Sequence, residues 1–474
     1  MEVTQDLRER AGLQWVLDRL TPLSPFGRAA ARSLRWYGPG EEAALEAELS
    51  NVEQALPLWA ENPPHFRAMT RCLPLFHDIR GSLDREADSP FDLVELFELK
   101  HFLLTLEQIS AAYGALRPFS GVTLIPMEEA LDLLDPSGRR LPAFAIEDAC
   151  HPDLPALRRE KAAVEAQIRA ASGADRPALL ERRRVLAVRE EALELEVRRA
   201  LTGRLMALRG VFLSNMEALG RLDLILAKAL LARRQGCIRP VLRRDGRAVL
   251  RGLRHPQVAA DLEARGEAFT PVDIDLSRGC TVITGANMGG KTVSLRAVTL
   301  SLLLCQCGFF VFAARAELPL FHRAALILAD SGPGSGGLSS FGGEVHALDT
   351  LLRESRGTFF FLALDEFARG TNPQEGAALA RTLVQYLNGL HCVALMTTHY
   401  DGVSDAARAH YQVAGLVREI SGDEGDDPRT RIARRMDYRL LPAPPGAPCP
   451  RDALRVCRLL DLDANLLSLF SENS

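Results

Sequence analysis

The feature that most constrains this chain is a glycine-rich loop that joins an apolar run to a helical stretch. The loop has the pattern G-x-x-x-x-G-K-[ST], and its residues are Gly285, Ala286, Asn287, Met288, Gly289, Gly290, Lys291 and Thr292. Glycines let backbone N–H groups turn inward around an anion, and a helix that follows directs its positive end at the same point. The sequence therefore predicts a phosphate-binding loop, with Lys291 on the phosphates and the Thr292 hydroxyl on Mg²⁺.

Lysine is rare in this sequence, and one lysine falls in the loop. Of the 57 basic residues only four are lysines, at positions 100, 161, 228 and 291. A compact ammonium group fits between phosphates where a planar guanidinium does not. The lysine at position 291 of this arginine-rich chain is therefore independent support for the loop.

A second motif is the apolar run Phe359 to Leu364, which ends in two acids, Asp365 and Glu366. A buried strand with this ending is typical of the Walker B element of nucleotide hydrolases. We expect Asp365 to hold Mg²⁺ and Glu366 to act as the general base on the attacking water. The structural alternative is a strand that ends in a surface acid pair.

Two further elements complete the pattern. His399 follows the apolar run Cys392 to Met396, where an imidazole can reach the γ-phosphate of ATP or the attacking water. Ser339 lies in a glycine-serine segment before the Walker B strand, and hydroxyls at a helix start make a second anion site. In an ATPase that works as a pair, this segment meets the ATP of the other subunit. A structural histidine and an ordinary glycine-serine loop are the alternatives.

The two halves of the chain differ in pattern. Residues 1–235 are rich in Ala, Leu, Glu and Arg at helical spacing, with Pro and Gly between the stretches. Residues 236–440 alternate short apolar runs with helical stretches, which is the pattern of an α/β domain. We therefore predict an α + α/β fold, with a Pro-rich linker and a short helical tail over residues 441–474. The runs predicted as buried strands are Cys280–Thr284, Ala324–Ala329, Phe359–Leu364 and Cys392–Met396.

The longest helical tract covers residues 154–232 and has one clear break, from Ser172 to Pro177. This pattern predicts two long helices that fold back on each other. Basic residues outnumber acidic ones here, and two interpretations stay open. One is a solvated surface with i,i+4 ion pairs, and the other is a basic stripe that faces DNA.

Composition limits the function classes. The net charge of -4 gives no general attraction to nucleic acid, so any DNA contact needs a local basic surface. Met1 to Arg10 is charged and has no apolar signal region. The longest apolar run, Val298 to Ala314, is shorter than a membrane span and predicts a buried helix followed by a strand. With nine scattered cysteines expected as free thiols, we predict a cytoplasmic protein without a membrane partner.

Five motifs in one order resemble the MutS family. Arg254–Pro256 resembles the family's R-H-P, and Thr284–Thr292 resembles T-G-P-N-M-G-G-K-S. Ser339–Glu344 resembles S-T-F-x-x-E, Asp365–Thr371 resembles D-E-[IL]-G-R-G-T, and Thr398–Tyr400 resembles T-H-Y. The resemblance implies an ABC-type P-loop ATPase that binds ATP and Mg²⁺ at composite sites of a homodimer. Thr21–Arg28 and Leu222–Ala229 resemble the family's helical core and lever helix, so residues 1–235 are expected to be core and levers.

The resemblance also implies roles for residues outside the four elements. Phe269 is expected to stack on adenine, and Asn287 to contact the phosphates or water. Arg369 to Asn372 is expected in the dimer interface.

Two functions follow from the resemblance. The first is a DNA-binding protein of mismatch repair or recombination. Neither the family's F-x-E wedge nor its β-rich clamp nor a nuclease-like domain is recognisable in the sequence, so we expect no mismatch sensing of the usual kind. The alternative is an ATP-dependent reactivation or remodelling factor for a protein client. Asp365 to Gly376 resembles MutS-like proteins found beside cobalamin-dependent lysine and ornithine aminomutases.

Overall fold

The computed structural model describes residues 4–84, 89–172, 175–285, 290–328, 340–416, 435–450, 453–460 and 462–472. Its helices are α1 (Gln5–Ala11), α2 (Leu13–Leu17), α3 (Pro25–Arg32), α4 (Glu42–Ala55), α5 (Leu58–Glu61), α6 (Pro63–Cys72), α7 (Arg80–Leu83), α8 (Leu93–Gly114), α9 (Glu128–Leu134), α10 (Leu154–Ala170), α11 (Arg176–Ala207), α12 (Arg209–Gln235), α13 (Pro256–Glu263), α14 (Lys291–Gln306), α15 (Ser340–Glu354), α16 (Pro373–Asn388), α17 (Ala453–Leu459) and α18 (Ala464–Glu472). Its strands are β1 (Val241–Arg243), β2 (Ala248–Leu253), β3 (Val272–Leu276), β4 (Gly279–Thr284), β5 (Arg315–Pro319), β6 (Arg323–Ile327), β7 (Phe360–Asp365), β8 (Cys392–Thr398), β9 (Ala409–Leu416) and β10 (Met436–Ala443).

The chain forms two compact units. Unit 1 combines Met1–Leu20, Leu34–Glu53 and Lys228–Ser474, and unit 2 combines Thr21–Ser33 and Gln54–Ala227. The predicted domain boundaries at residues 235 and 440 stay a prediction. The mixture of helices and sheets agrees with the predicted α + α/β class.

Unit 1 contains a six-stranded sheet with the order β10-β9-β4-β8-β7-β6. The strands from β9 to β6 are parallel, and β10 runs antiparallel to β9 at one edge. Thr284 of β4 lies opposite Thr398 of β8, and Asp365 of β7 lies opposite Thr397. The carboxyl ends of these three central strands therefore meet at one edge of the sheet.

Apolar residues from alternate strand positions form the core on one face of this sheet. Cys280 and Val282 of β4 pack with Leu351 of α15 and with Ala380 and Val384 of α16. The intervening strand residues face the opposite side, and α14 contacts β7 and β8. All four predicted strands are present, with ends within two residues of the predicted ones. A second sheet of unit 1 has the order β1-β5-β2-β3.

Two local predictions were wrong. The run Val298 to Ala314 was predicted as a helix followed by a strand. The helix is present and ends at Gln306, but in place of the strand Val311 forms only an isolated β-bridge to Ile238. The apolar residues after the helix are buried but do not pair as a β-strand. A hydrophobic run predicts that its residues are buried, and it does not predict whether they pair with another strand. The start of the predicted linker, Leu441–Ala443, belongs to β10. Pro442 is tolerated there because β10 is an edge strand.

Unit 2 is helical in its described residues. Four phenylalanines make its aromatic centre, with ring centroids 5.2 to 6.2 Å apart: Phe26, Phe76, Phe102 and Phe212. The buried carboxylate of Asp223 accepts hydrogen bonds from the backbone N–H groups of Leu23 and Ser24 and from the Ser24 hydroxyl. A Cβ on Gly27 would lie 2.1 Å from that carboxylate, so the position requires glycine. The two core-like motifs thus meet in a structural contact.

The predicted fold-back of two helices is confirmed for α10 and α11, which pack through Leu157, Val164 and Leu186. The second predicted helix is not continuous, because it is divided at Leu208 into α11 and α12. The ion pairs differ from the prediction, because most of them cross between the two helices instead of running i to i+4. Arg158 contacts Glu190 and Glu194, each at 2.9 Å. Antiparallel packing brings these side chains together. Within the described residues, no helix is long and apolar enough to cross a membrane.

Candidate functional site

The loop after β4 has flanks that require glycine. Gly285 has a φ of 149°, and a Cβ there would lie 3.0 Å from Cβ of Val413. Gly290 has a φ of 77° at the start of α14, and its Cβ would lie 3.2 Å from Cδ1 of Tyr438. Both backbone conformations are ones that residues with side chains rarely adopt. The predicted site residues that lie outside the described residues are Ala286, Asn287, Met288, Gly289 and Ser339.

Lys291 is the first residue of α14 and is only 3% exposed. Its Nζ donates a hydrogen bond to the carbonyl oxygen of Gly285 at 2.6 Å. The same Nζ lies 3.1 Å from Oε1 of Glu366. A buried ammonium group requires such partners. Lys291 therefore joins the loop to the end of the β7 strand.

Thr292 and Asp365, the two predicted Mg²⁺ ligands, are adjacent. The Thr292 hydroxyl donates to Oδ2 of Asp365 at 2.8 Å, and the Thr397 hydroxyl donates to Oδ1 at 2.6 Å. Mg²⁺ prefers hard oxygen ligands and often takes only one or two from protein when phosphate supplies others. A hydroxyl and a carboxylate beside the loop fit that requirement. Among the described residues, no group of three or more His, Cys, Asp or Glu side chains forms a separate metal cluster.

Glu366 follows Asp365 directly, has a φ of 47° and is buried. Its Oε1 is near two groups, Nζ of Lys291 at 3.1 Å and Nδ1 of His399 at 3.8 Å. Its Oε2 lies 3.0 Å from Nη1 of Arg369, in an ion pair without hydrogen-bond geometry. In the described part of the chain, Oε2 of Glu366 and Nδ1 of His399 are buried polar atoms that lack a hydrogen bond. Such atoms are available to form a hydrogen bond with a small molecule such as water.

His399 is held close to the neutral form. Burial lowers its pKa below the ordinary value, and the nearby Lys291 and Arg369 act in the same direction, while Glu366 opposes them. A neutral imidazole can accept a hydrogen bond from water or donate one to phosphate, depending on its tautomer. His399 is therefore equipped for either role predicted from its sequence position.

A cavity of about 730 Å³ opens beside the loop. Its lining includes Lys291 and Thr292, and also Phe269, Val272 and Tyr438. The cavity thus combines polar side chains that suit phosphates with aromatic side chains that suit a planar base. Phe269, predicted from the family resemblance alone, lines the same cavity as Lys291 and Thr292.

Sequence reasoning missed several residues of this region. Tyr438 belongs to β10, far along the chain from the loop, and no motif marks it. Thr397 binds both Asp365 and the backbone N–H of Glu366, which donates to its hydroxyl at 3.0 Å. Its signal was only its place in the T-T-H end of an apolar run. Strand order brings these residues to the site.

The R-H-P motif, Arg254–Pro256, contributes to the packing of unit 1. His255 is fully buried, and its Nε2 lies 3.1 Å from the carbonyl oxygen of Ala11. Gly12 follows with a φ of 85°, and a Cβ there would meet the His255 ring at 2.7 Å. Burial, assisted by Arg296, lowers the pKa of His255 to about 4. This histidine stays neutral and holds the N-terminal helices of unit 1.

The comparisons with known proteins agree on one family. Residues 281–430 match the family model described as MutS domain V. Endonuclease MutS2 of Caldicellulosiruptor bescii is 30% identical over 259 residues, which are 54% of this chain and 30% of that protein. Endonuclease MutS2 of Thermomicrobium roseum is 32% identical over 289 residues, or 59% of this chain and 35% of that protein.

A second group of relatives carries a different name. The DNA mismatch repair protein MutS of Thermus thermophilus is 36% identical over 212 residues, which are 45% of this chain and 25% of that protein. The chain therefore spans about a third or less of the length of the curated relatives it matches. None of these names bears on the aminomutase subgroup, which stays a prediction.

Proposed function

We propose that this chain, which belongs to the MutS family, binds ATP with Mg²⁺ and hydrolyses it at the carboxyl edge of its six-stranded sheet. One observation carries the proposal. Lys291 and Thr292, at the start of α14, lie against Asp365 and Glu366 at the end of β7, with His399 after β8 close to Glu366, and Phe269 lines the adjacent cavity. Family membership supports the same reaction.

We assign to each side chain a distinct task that its position supports. Lys291 binds the β- and γ-phosphates, and in doing so leaves Glu366 free of its ammonium partner. Thr292 and Asp365 would hold Mg²⁺, which would supply charge neutralisation at the phosphate oxygens. Glu366 then accepts the proton of the attacking water. Neutral His399, 3.8 Å from Glu366, orients that water or contacts the γ-phosphate.

We also propose that two copies of the chain form the complete site, with the segment around Ser339 at the ATP of the other copy. ATP binding closes the pair of subunits, and hydrolysis reopens it. The helical part of the chain converts that motion into the opening or closing of a gap. DNA is the first candidate partner, because the relatives are named a DNA mismatch repair protein and an endonuclease. A protein client of the aminomutase kind is the alternative.

The test of hydrolysis is Glu366→Gln, which keeps the shape of the side chain and removes the base. Turnover should fall about 100- to 10,000-fold, because general-base catalysis contributes a factor of that size. ATP should still bind, and light scattering should show a dimer that persists with ATP. The matched control is Glu354→Gln, whose carboxylate forms an exposed ion pair with Arg323. Turnover of Glu366→Gln at the wild-type rate would show that Glu366 is not the base.

The test of the partner is fluorescence anisotropy of labelled homoduplex, mismatched and branched DNA, with and without ATP, across a salt series. A DNA-binding protein should show an affinity that falls steeply with salt, because phosphate contacts release counterions. A preference for one DNA structure would establish the substrate. Absence of binding at low salt, by protein that hydrolyses ATP, would favour the protein client.

A further inference from the structure

The turn after β7 has an unusual backbone. Glu366 has a φ of 47° and Ala368 a φ of 65°, both in the left-handed region that residues other than glycine rarely occupy. Two such residues so close together persist only where the surroundings hold them. The conformation of this turn determines where the Glu366 carboxylate lies.

Side chains from two other elements hold Ala368 by its backbone. Its N–H donates to Oε2 of Glu344 at 3.2 Å, and its carbonyl oxygen accepts from the Tyr400 hydroxyl at 3.2 Å. Ala368 is fully buried, and both partner side chains are largely buried. A Cβ on Gly376 would lie 2.6 Å from the Tyr400 hydroxyl oxygen, so glycine leaves room for this contact.

Glu344 is a buried carboxylate that accepts a backbone N–H, and burying a carboxyl group costs free energy. It is 2% exposed, and among the described residues it forms no ion pair with a cation. Burial raises its pKa above the ordinary value, and nearby Asp365 adds to the rise. A second contact joins the same elements, because the rings of Phe341 and Phe367 lie 6.1 Å apart. The first turns of α15 therefore contact the turn after β7 at two points.

We propose that Glu344, together with Tyr400, is a positioning residue that couples the start of α15 to the carboxylate of Glu366. This inference rests on the proposed function, in which the segment that begins α15 meets the ATP of a second subunit. A shift of α15 on engagement moves Ala368 through the Glu344 contact, and Glu366 lies only two residues away. Each subunit thereby senses, at its own general base, whether its α15 segment is engaged at the other site.

The experiment compares Glu344→Ala with Glu344→Gln in the full chain, with Glu354→Ala as the control on an exposed position of the same helix. Glu344→Ala should lower kcat about 10- to 100-fold, because small displacements of a catalytic group have effects of that size. KM for ATP should change little, since Lys291 and Phe269 are untouched. Glu344→Gln should recover most of kcat, because its amide oxygen still accepts from Ala368.

A readout of coupling separates this role from simple packing. The dependence of turnover on ATP concentration should be cooperative in the wild type and lose its cooperativity in Glu344→Ala. Tyr400→Phe, which removes the contact on the other side of Ala368, should lower kcat in the same direction and serves if Glu344→Ala does not fold.

Three results would overturn the inference: unchanged kcat in folded Glu344→Ala, a change in KM alone, or equal damage by Gln and Ala. Absence of hydrolysis by the wild type would instead overturn the proposed function, and this inference with it.

Discussion

Two buried lysines of unit 1 illustrate the difference between a closed polar cluster and an open one. Lys228 and Lys291 are each 3% exposed, and each lies beside a glutamate, Glu48 at 2.8 Å and Glu366 at 3.1 Å. Lys228 also donates to the carbonyl oxygen of Cys307 at 3.0 Å. Burial and an acidic partner are thus common to both and do not by themselves indicate function.

The surroundings separate the two pairs. Around Lys228 the space is filled, since its Nζ lies 4.6 Å from the Phe309 ring and a Cβ on Gly308 would lie 2.5 Å from the Glu48 side chain. Lys291 lines the cavity of about 730 Å³. The closed pair has no room for a ligand and stabilises the fold. The open pair can exchange its partner for a phosphate, which is what a nucleotide site requires.

The largest expected effect that tests this comparison is on stability. Lys228→Ala should lower the free energy of unfolding by about 3–5 kcal/mol, because it removes the ammonium group that donates to the buried carboxylate of Glu48. Urea unfolding followed by circular dichroism measures this change. The control is Lys161→Ala, where Glu190 keeps Arg158 as a partner and the loss should be about 1 kcal/mol or less. Equal losses in the two variants would contradict the closed cluster.

The reciprocal effect is expected at the open pair. Lys291→Ala should weaken ATP binding about 10- to 100-fold, because hydrogen bonds to charged groups contribute about 1.5–3 kcal/mol. Its effect on unfolding should be smaller than that of Lys228→Ala, since Glu366 keeps Arg369 nearby and the cavity admits water. Titration with a fluorescent ATP analogue and urea unfolding measure the two quantities. Wild-type affinity in Lys291→Ala would be incompatible with the phosphate-binding assignment.

A smaller, pH-dependent effect is expected at another closed group, His255. Its pKa is about 4 in the folded chain, against 6.5 for an unperturbed histidine. As the pH falls below 6.5 the unfolded chain binds a proton that the folded chain does not, so stability is lost. The loss from this group should be about 2 kcal/mol at pH 5. His255→Gln, whose amide can still donate to Ala11, should show a shallower fall in unfolding midpoint between pH 7 and 5, and equal slopes would argue against a buried neutral histidine.

The sequence by itself determined four strands of the six-stranded sheet, β4, β6, β7 and β8, and the order of the motifs. Short apolar runs that end at polar residues predict β4, β7 and β8, and Lys291, Asp365, Glu366 and His399 follow from what lies at the ends of those runs. These predictions depend on local periodicity and on the chemistry of single residues, which a sequence displays directly. Phe269 lines the cavity, and its stacking on adenine stays a prediction from family resemblance.

Only the tertiary structure decided which distant residues meet. Tyr438 reaches the cavity because β10 returns antiparallel along β9. Glu344 reaches Ala368 because the start of α15 packs against the turn after β7. The same holds for His255 on Ala11 and for Lys228 on Glu48. Such contacts depend on strand order, register and helix packing. The same packing leaves a cavity beside Lys291 and fills the space around Lys228. Neither hydrophobic period nor motif spacing encodes those choices, because they are made by the fit between surfaces far apart in the chain.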